Sequence, residues 1–257
     1  QIPAATAVAT GDFLHTGHPG FVVAGSNSVS VWFGTGGAFA VTPSWTYSSE
    51  TGSYTGVVVA DFAHNNTAGI AVSDASGPDA AVFLYSPTLA GFSGPQTYGV
   101  GVSAGAIAAG DVNGDGYPDL AVLSPSDSTV AILLNNGSGG FLAATTYGVS
   151  TQPNALAIAD FNQDGYSDVA VSGSNAAPGA GTTILLGSSS GAITGEASLP
   201  QNPGQSIVTA DFNNDGNPDL AVGSTTITPF VDSSAQASTA NVALTAGTAP
   251  LTAAYSP

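Results

Sequence analysis

Three stretches of the chain carry acidic and amide side chains at the same intervals: DVNGDGYPDLAV from Asp111, DFNQDGYSDVAV from Asp160 and DFNNDGNPDLAV from Asp211. The pattern D-x-N-x-D-G-x-x-D puts side-chain oxygens at positions 1, 3, 5 and 9, and its glycine at position 6 permits a tight turn. Oxygens converging from one short loop suit Ca²⁺, a hard cation that takes six to eight of them. The expected ligands in the first loop are Asp111, Asn113, Asp115 and Asp119, with the Tyr117 carbonyl. In the second they are Asp160, Asn162, Asp164 and Asp168, with the Tyr166 carbonyl. In the third they are Asp211, Asn213, Asp215 and Asp219, with the Asn217 carbonyl. About three Ca²⁺ ions per chain are expected. Position 12 is Val122, Val171 or Val222 where an EF-hand has Glu, so these are strand–loop–strand sites. Asn, Asp and Gly also build metal-free turns, but a turn does not need carboxylates at positions 1, 5 and 9 together.

Two earlier stretches are weaker copies: DFLHTGHPGFVV from Asp12 and DFAHNNTAGIAV from Asp61. Leu14 and Ala63 replace the Asn, and Gly20 and Gly69 replace the last Asp, so poor Ca²⁺ binding is expected there. These loops hold all three histidines, His15, His18 and His64. A transition-metal or catalytic site built from Asp12, His15, His18 and His64 is one reading. Shared ancestry of loop residues is the other, since His15 and His64 occupy the same repeat position.

The five leading aspartates, at 12, 61, 111, 160 and 211, define a period near 50 residues, which fits a propeller blade better than any helical repeat. The units run approximately 1–50, 51–100, 101–149, 150–200 and 201–257, as one domain. Each reads as four short strands. In the fourth unit these are Ala155–Phe161, Asp168–Ser172, Thr182–Leu186 and Ile193–Leu199, separated by Gly and Ser turn clusters. A Tyr closes most units, at 47, 98, 147 and 255, with Leu199 in that place in the fourth. In the fifth unit, Thr225–Gln236 reads as an insertion, either a decorated loop or an extra strand pairing elsewhere. The third strand is expected at NVALTAG from Asn241. The first strand is expected at Ala5–Phe13 and the last at Leu251–Tyr255.

Composition excludes several functions. The 257 residues include no Lys or Arg and 17 Asp and Glu, a formal charge of −17. Charged residues are ordinarily about a quarter of a soluble chain, so this absence is selected or enforced by processing. Contact with a nucleic-acid backbone is excluded, because it depends on Lys and Arg, as is a polybasic membrane contact. No stretch of 18 apolar residues predicts a membrane helix. A hydrophobic fraction of 43% is enough for a core, and 34 Gly with 16 Pro favour short strands and tight turns. A chain beginning at Gln1 without any Met is read as the product of signal-peptide cleavage. Asn65 and Asn136 are N-x-[ST] glycosylation candidates.

At these loops and repeats the chain resembles the FG-GAP/VCBS family of β-propeller repeats, found in integrin α-subunit heads and many secreted bacterial proteins. The resemblance spans all five units, three strong and two decayed. It implies an all-β propeller with Ca²⁺ between the first two strands of the intact units. The best-known members have seven blades, so a five-unit chain departs from them.

The expected function is a non-enzymatic, secreted or cell-surface structural or adhesive module, subunit of a fibre joined through strand edges to copies of itself. The absence of Cys, Met, Lys and Arg suits persistence outside a cell, sparing it common oxidations and trypsin-like cleavage. The alternative partner is an extracellular glycan or protein, with Trp32, Trp45, Tyr54, Tyr85 and Phe92 as aromatic platforms. Catalysis is the remaining reading. No Ser–His–Asp order or HExxH motif supports it.

Overall fold

A run such as Asp119–Ser124 (DLAVLS) is apolar at consecutive positions, and a strand can bury such a run only if both of its faces are covered. The computed structural model, which describes residues 4–149, 152–173, 181–199, 206–223, 226–230 and 242–243, covers them by stacking antiparallel sheets face to face.

The strands are β1 (Ala5–Gly11), β2 (Gly20–Trp32), β3 (Trp45–Ala60), β4 (Gly69–Asp74), β5 (Asp79–Ser86), β6 (Gly91–Gly99), β7 (Ile107–Gly110), β8 (Asp119–Ser124), β9 (Thr129–Leu133), β10 (Thr145–Gly148), β11 (Pro153–Ala159), β12 (Asp168–Gly173), β13 (Thr182–Leu186), β14 (Gly195–Leu199), β15 (Ser206–Ala210), β16 (Asp219–Gly223), β17 (Thr226–Phe230) and β18 (Val242–Ala243). Three sheets are four-stranded meanders, β7 to β10, β11 to β14 and β15 to β18, and β1 to β6 form one continuous sheet.

That larger sheet is two units joined by a long strand. The first half of β3 pairs with β2 (Val29↔Tyr47, Val31↔Trp45), and the second half pairs with β4 (Val57↔Val72, Ala60↔Gly69). Within β2 the chain reverses near Asn27, whose φ is 64°. Phe21 consequently stacks on Trp32 with ring centroids 4.8 Å apart, whereas a straight strand would hold them about 36 Å apart.

Alternate side chains of each central strand enter different interfaces. Leu120 and Val122 of β8 pack toward the preceding unit with Phe62, Ala71 and Val82. Ala121 and Leu123 pack toward the following unit with Val169 and Val171. Four such clusters join the five units in sequence, and among the described residues none joins the fifth to the first. The first strands, β1, the second half of β3, β7, β11 and β15, lie beside one another in turn. The acidic loops leave the ends of these strands and therefore gather at one end of the stack.

Two of the unit-closing tyrosines tie their units to the next. The Tyr98 hydroxyl accepts the Phe141 N–H at 3.1 Å, and the Tyr147 hydroxyl accepts the Ile193 N–H at 3.2 Å. Each donor sits on the connection between the third and fourth strands of the following unit. Tyr98→Phe and Tyr147→Phe are each expected to cost about 1 kcal/mol. A thermal melt should read this as a Tm lower by roughly 2–4 °C.

Tyr54 offers a pH probe. It is 4% exposed, and burial pushes its phenol up to about 12. Its contribution to stability is therefore complete below the unfolded-state value near 10 and is lost as pH rises through 12. Tyr54→Phe is expected to flatten the loss of Tm between pH 10 and 12 relative to the parent chain.

The fifth unit differs from the sequence expectation. β17, within Thr225–Gln236, pairs with β16 (Leu220↔Phe230, Val222↔Thr228) and so occupies the third-strand place. Val242–Ala243, expected in the third strand, pairs with β17 as the fourth. Pro229, which cannot donate to a ladder, lies opposite Ala221 in β17. In the fourth unit, β11 and β14 begin at Pro153 and Gly195 rather than Ala155 and Ile193. The expected strand Leu251–Tyr255 lies outside the described residues.

Candidate metal centre

All five loops follow one backbone path, including the two that lost ligands. Position 4 has a positive φ in every copy: His15 52°, His64 50°, Gly114 72°, Gln163 61° and Asn214 61°. Position 6 does too: Gly17 77°, Asn66 63°, Gly116 88°, Gly165 89° and Gly216 91°. This left-handed conformation is free for glycine and tolerated by Asn. For His15, His64 and Gln163 the surrounding loop must impose it.

The position-1 carboxylate holds this path by accepting two amides. Asp111 takes the N–H groups of Asp115 (3.1 Å) and Gly116 (2.8 Å). Asp160 takes those of Asp164 (3.1 Å) and Gly165 (2.9 Å), and Asp211 those of Asp215 (3.1 Å) and Gly216 (2.9 Å). Asp12 and Asp61 do the same with Thr16 and Gly17 and with Asn65 and Asn66. Position 1 is thus a structural residue in all five units.

Positions 3 and 5 are linked only in the intact loops. The Asn113 amide donates to Asp115 at 2.9 Å, Asn162 to Asp164 at 3.0 Å and Asn213 to Asp215 at 2.8 Å. Position 9 opens the next strand and is buried: Asp119 and Asp168 are 0% exposed and Asp219 is 1% exposed. The oxygens of Asp119 accept the Val112 N–H (2.9 Å) and the Asn135 N–H (2.7 Å). Those of Asp168 accept the Phe161 N–H (3.0 Å) and the Gly187 N–H (2.9 Å).

Burial pushes the Asp119 carboxyl up to about 6, and the charges of Asp115 and Asp111 add to the shift against the pull of the two amides. Asp168 is raised the same way, with Asp164 adding to burial. Asp12 goes the other way, lowered chiefly by the Thr16 amide. Position 9 there is Gly20, where a Cβ would lie 2.2 Å from the Trp32 carbonyl oxygen and 2.9 Å from the Gly34 nitrogen. At Gly69 a Cβ would lie 2.9 Å from the Phe62 ring. The decayed loops have given the space of the last aspartate to backbone or an aromatic ring, so they have lost both a ligand and the room for one.

The donor set of the intact loops fits a hard cation. It is all oxygen, each loop carries three carboxylates within nine positions, and the chain has no Lys or Arg to offset them. A carboxylate oxygen that accepts one N–H retains acceptor capacity. Among the described residues, no group of three or more His, Asp or Glu side chains is gathered as a ready-made metal shell. The histidines are separate: His64 packs against Tyr117 with ring centroids 5.2 Å apart, and the His18 ring lies over Gly36.

Neighbouring loops touch. The Ser167 N–H donates to the Asp111 carbonyl at 3.0 Å. A Cβ on Gly114 would lie 2.9 Å from the Tyr166 ring, so Tyr166 rests on the loop before its own, as Tyr117 rests on His64. The sequence supplied Tyr117 and Tyr166 as carbonyl ligands; their rings, which it did not assign, bridge loops.

The other candidates sit as follows. Trp32 and Tyr54 are 4% exposed and Phe92 is 5% exposed, while Trp45 and Tyr85 pack against the first core cluster. Trp32, Tyr54 and Phe92 are thus buried, and Trp45 and Tyr85 are half-buried. Asn65 and Asn136 are exposed, and each side-chain carbonyl accepts its sequon hydroxyl, from Thr67 and Ser138. A cavity of about 560 Å³ opens near the starts of the first strands, lined by Thr55, Ser103, Gly105, Pro125 and Gln152 among others, with no ionisable group. No helix among the described residues is long and apolar enough to cross a membrane.

Comparison with known proteins agrees with this architecture. None of the curated protein sequences compared matches the chain. Among solved structures, the chain is similar to the crystal structure of BBS1N in complex with ARL6DN, soaked with lead, at 15% identity and a TM-score of 0.59. The match covers 89% of this chain and 66% of that one, a likeness of fold. The FG-GAP-like repeat model matches residues 111–171 and 160–222, the segments that hold the three intact loops. Residues 111–222 are therefore FG-GAP-like repeats, and the described residues are all-β, assembled from successive antiparallel sheets.

Proposed function

We propose that this is a calcium-stabilised, non-enzymatic structural or adhesive propeller of about five four-stranded blades, acting outside the cell or at its surface. The observation that carries the reading is the loop set: five copies of one backbone path, of which three keep carboxylates at positions 1, 5 and 9 in a chain without Lys or Arg. Asp111, Asp115 and Asp119 with Asn113 and the Tyr117 carbonyl would hold one ion. The equivalent residues of the fourth and fifth units would hold two more. Bound Ca²⁺ supplies positive charge where three carboxylates otherwise repel, and so fixes the turn between the first two strands of a blade. Each loop joins the first two strands of a blade, which favours a structural role for the ion.

Such a module serves as the subunit of a surface fibre or polymer. Light scattering and negative-stain microscopy in millimolar Ca²⁺ and then in EGTA test this. Extended particles in Ca²⁺ that shorten or unfold in EGTA are expected. Discrete 25 kDa particles in both conditions would remove the polymer role, and an unchanged melting curve in EGTA would remove the calcium role.

A further inference from the structure

Two successive joints between units are built alike except for one side chain. In the second unit Gln96 stands two residues before Tyr98, on the same face of β6. Its side-chain carbonyl accepts the Tyr98 hydroxyl proton at 2.8 Å, while the Tyr98 oxygen accepts the Phe141 N–H of the third unit. The third unit repeats half of this arrangement. The Tyr147 oxygen accepts the Ile193 N–H of the fourth unit, but the residue two before Tyr147 is Thr145, which carries no carbonyl. Register establishes the equivalence. Gln96 lies opposite Val82 and Thr145 opposite Ile132. Val82 and Ile132 each precede the residue that pairs with the centre strand, Phe83 with Ile70 and Leu133 with Leu120. Among the described residues, nothing accepts the Tyr147 hydroxyl proton.

A cavity of about 200 Å³ opens at this place. Ile132, Leu134, Leu142, Thr145 and Tyr147 of the third unit line one side, and Ser190 with the turn at 190–192 of the fourth lines the other. Leu142 is 53% exposed, an apolar side chain left in water beside the groove. The turn sits directly on Leu134: a Cβ on Gly191, whose φ is 71°, would lie 2.3 Å from its Cδ1. The Ser190 hydroxyl accepts the Ala192 N–H at 3.3 Å and retains acceptor capacity. The groove thus combines an apolar floor, one O–H without an acceptor and two hydroxyls at its rim.

We infer that this groove receives a glutamine side chain of a partner polypeptide. Glutamine is favoured because the chain itself places one against the equivalent tyrosine, one unit earlier. The carboxamide oxygen would accept the Tyr147 proton, its NH₂ would donate to the Thr145 or Ser190 hydroxyl, and its CH₂ groups would cover Leu134 and Leu142. A cavity of about 150 Å³ holds benzene, so this one has room for roughly five to seven heavy atoms. A carboxylate fits poorly, because no cation lines the groove and the chain already carries −17. A cationic side chain would find no carboxylate among the lining residues. Both walls belong to consecutive units in mid-chain, and the inference does not rest on the polymer reading.

The test is methyl NMR of the whole chain in millimolar Ca²⁺, titrated with butyramide, which is the glutamine side chain with its Cα. The Leu134 and Leu142 methyl signals should shift with a Kd on the order of 1–10 mM. Butyrate should bind about tenfold more weakly, because its charge must be desolvated. Thr145→Gln should abolish the butyramide shift and raise the Tm by about 1–4 °C, since the chain's own glutamine then fills the groove. Leucine methyls that do not move during the titration overturn the site. So does a butyramide shift that survives Thr145→Gln, because the groove is then not the counterpart of the Gln96 position. If N-acetylglucosamine binds as tightly as butyramide and is blocked by the same substitution, the occupant is an acetamido sugar and the polypeptide partner is overturned.

Discussion

Transfer from 10 mM Ca²⁺ to EGTA is expected to lower the Tm by roughly 15–30 °C. Sites of this kind in extracellular modules bind at about 10⁻⁴ to 10⁻³ M. An ion that binds only the folded chain stabilises it by about 2.7 kcal/mol at a hundredfold excess over its dissociation constant. Three sites at the tighter end of that range give about 8 kcal/mol, and each kcal/mol moves the Tm of a chain this size by about 2–4 °C. The acidic loops explain the direction. Without an ion, Asp119 and Asp168 must be buried beside other carboxylates with only amides to stabilise their charge. Differential scanning calorimetry at fixed ionic strength reads the shift and separates it from simple screening, which Na⁺ would reproduce.

The second large effect lies in the interfaces. Phe62→Ala is expected to cost about 3–5 kcal/mol, because a fully buried ring leaves a cavity that its neighbours fill only in part. A Tm lower by about 10 °C should result. Phe212→Ala, at the same repeat position but 48% exposed, should change the stability of the chain by no more than about 0.5 kcal/mol. The contrast attributes the cost to burial between units, since residue type and loop position are the same. Equal losses from the two substitutions in chemical denaturation would show that position 2 acts within its own loop instead.

The acidic loops were legible because their information is local. D-x-N-x-D-G-x-x-D names its turn residues and its oxygens within nine positions, and three copies at one spacing exclude coincidence. The two-sided burial of strands such as β8 was readable from the unbroken apolar run of Leu120–Leu123. What the sequence hid depends on residues about 50 positions apart. Nothing near Tyr98 says that its hydroxyl takes the Phe141 amide. Nothing near Phe13 says that its ring meets Phe92 of the next unit. The left-handed conformation of His15 and Gln163 was hidden too, because neither residue advertises it; only superposition on Gly114 does. β17 was missed as the third strand because NVALTAG, downstream, resembles the third strand of the other units. The alternation that marks a half-exposed strand is weak in a unit whose neighbours cover both faces.

Calcium titration by isothermal calorimetry, on protein first stripped with EGTA and then dialysed free of chelator, tests the central claim most directly. The account predicts about three ions per chain, and one fewer for each of Asp115→Ala, Asp164→Ala and Asp215→Ala. Absence of binding at millimolar Ca²⁺, or a stoichiometry unmoved by those three substitutions, would contradict it.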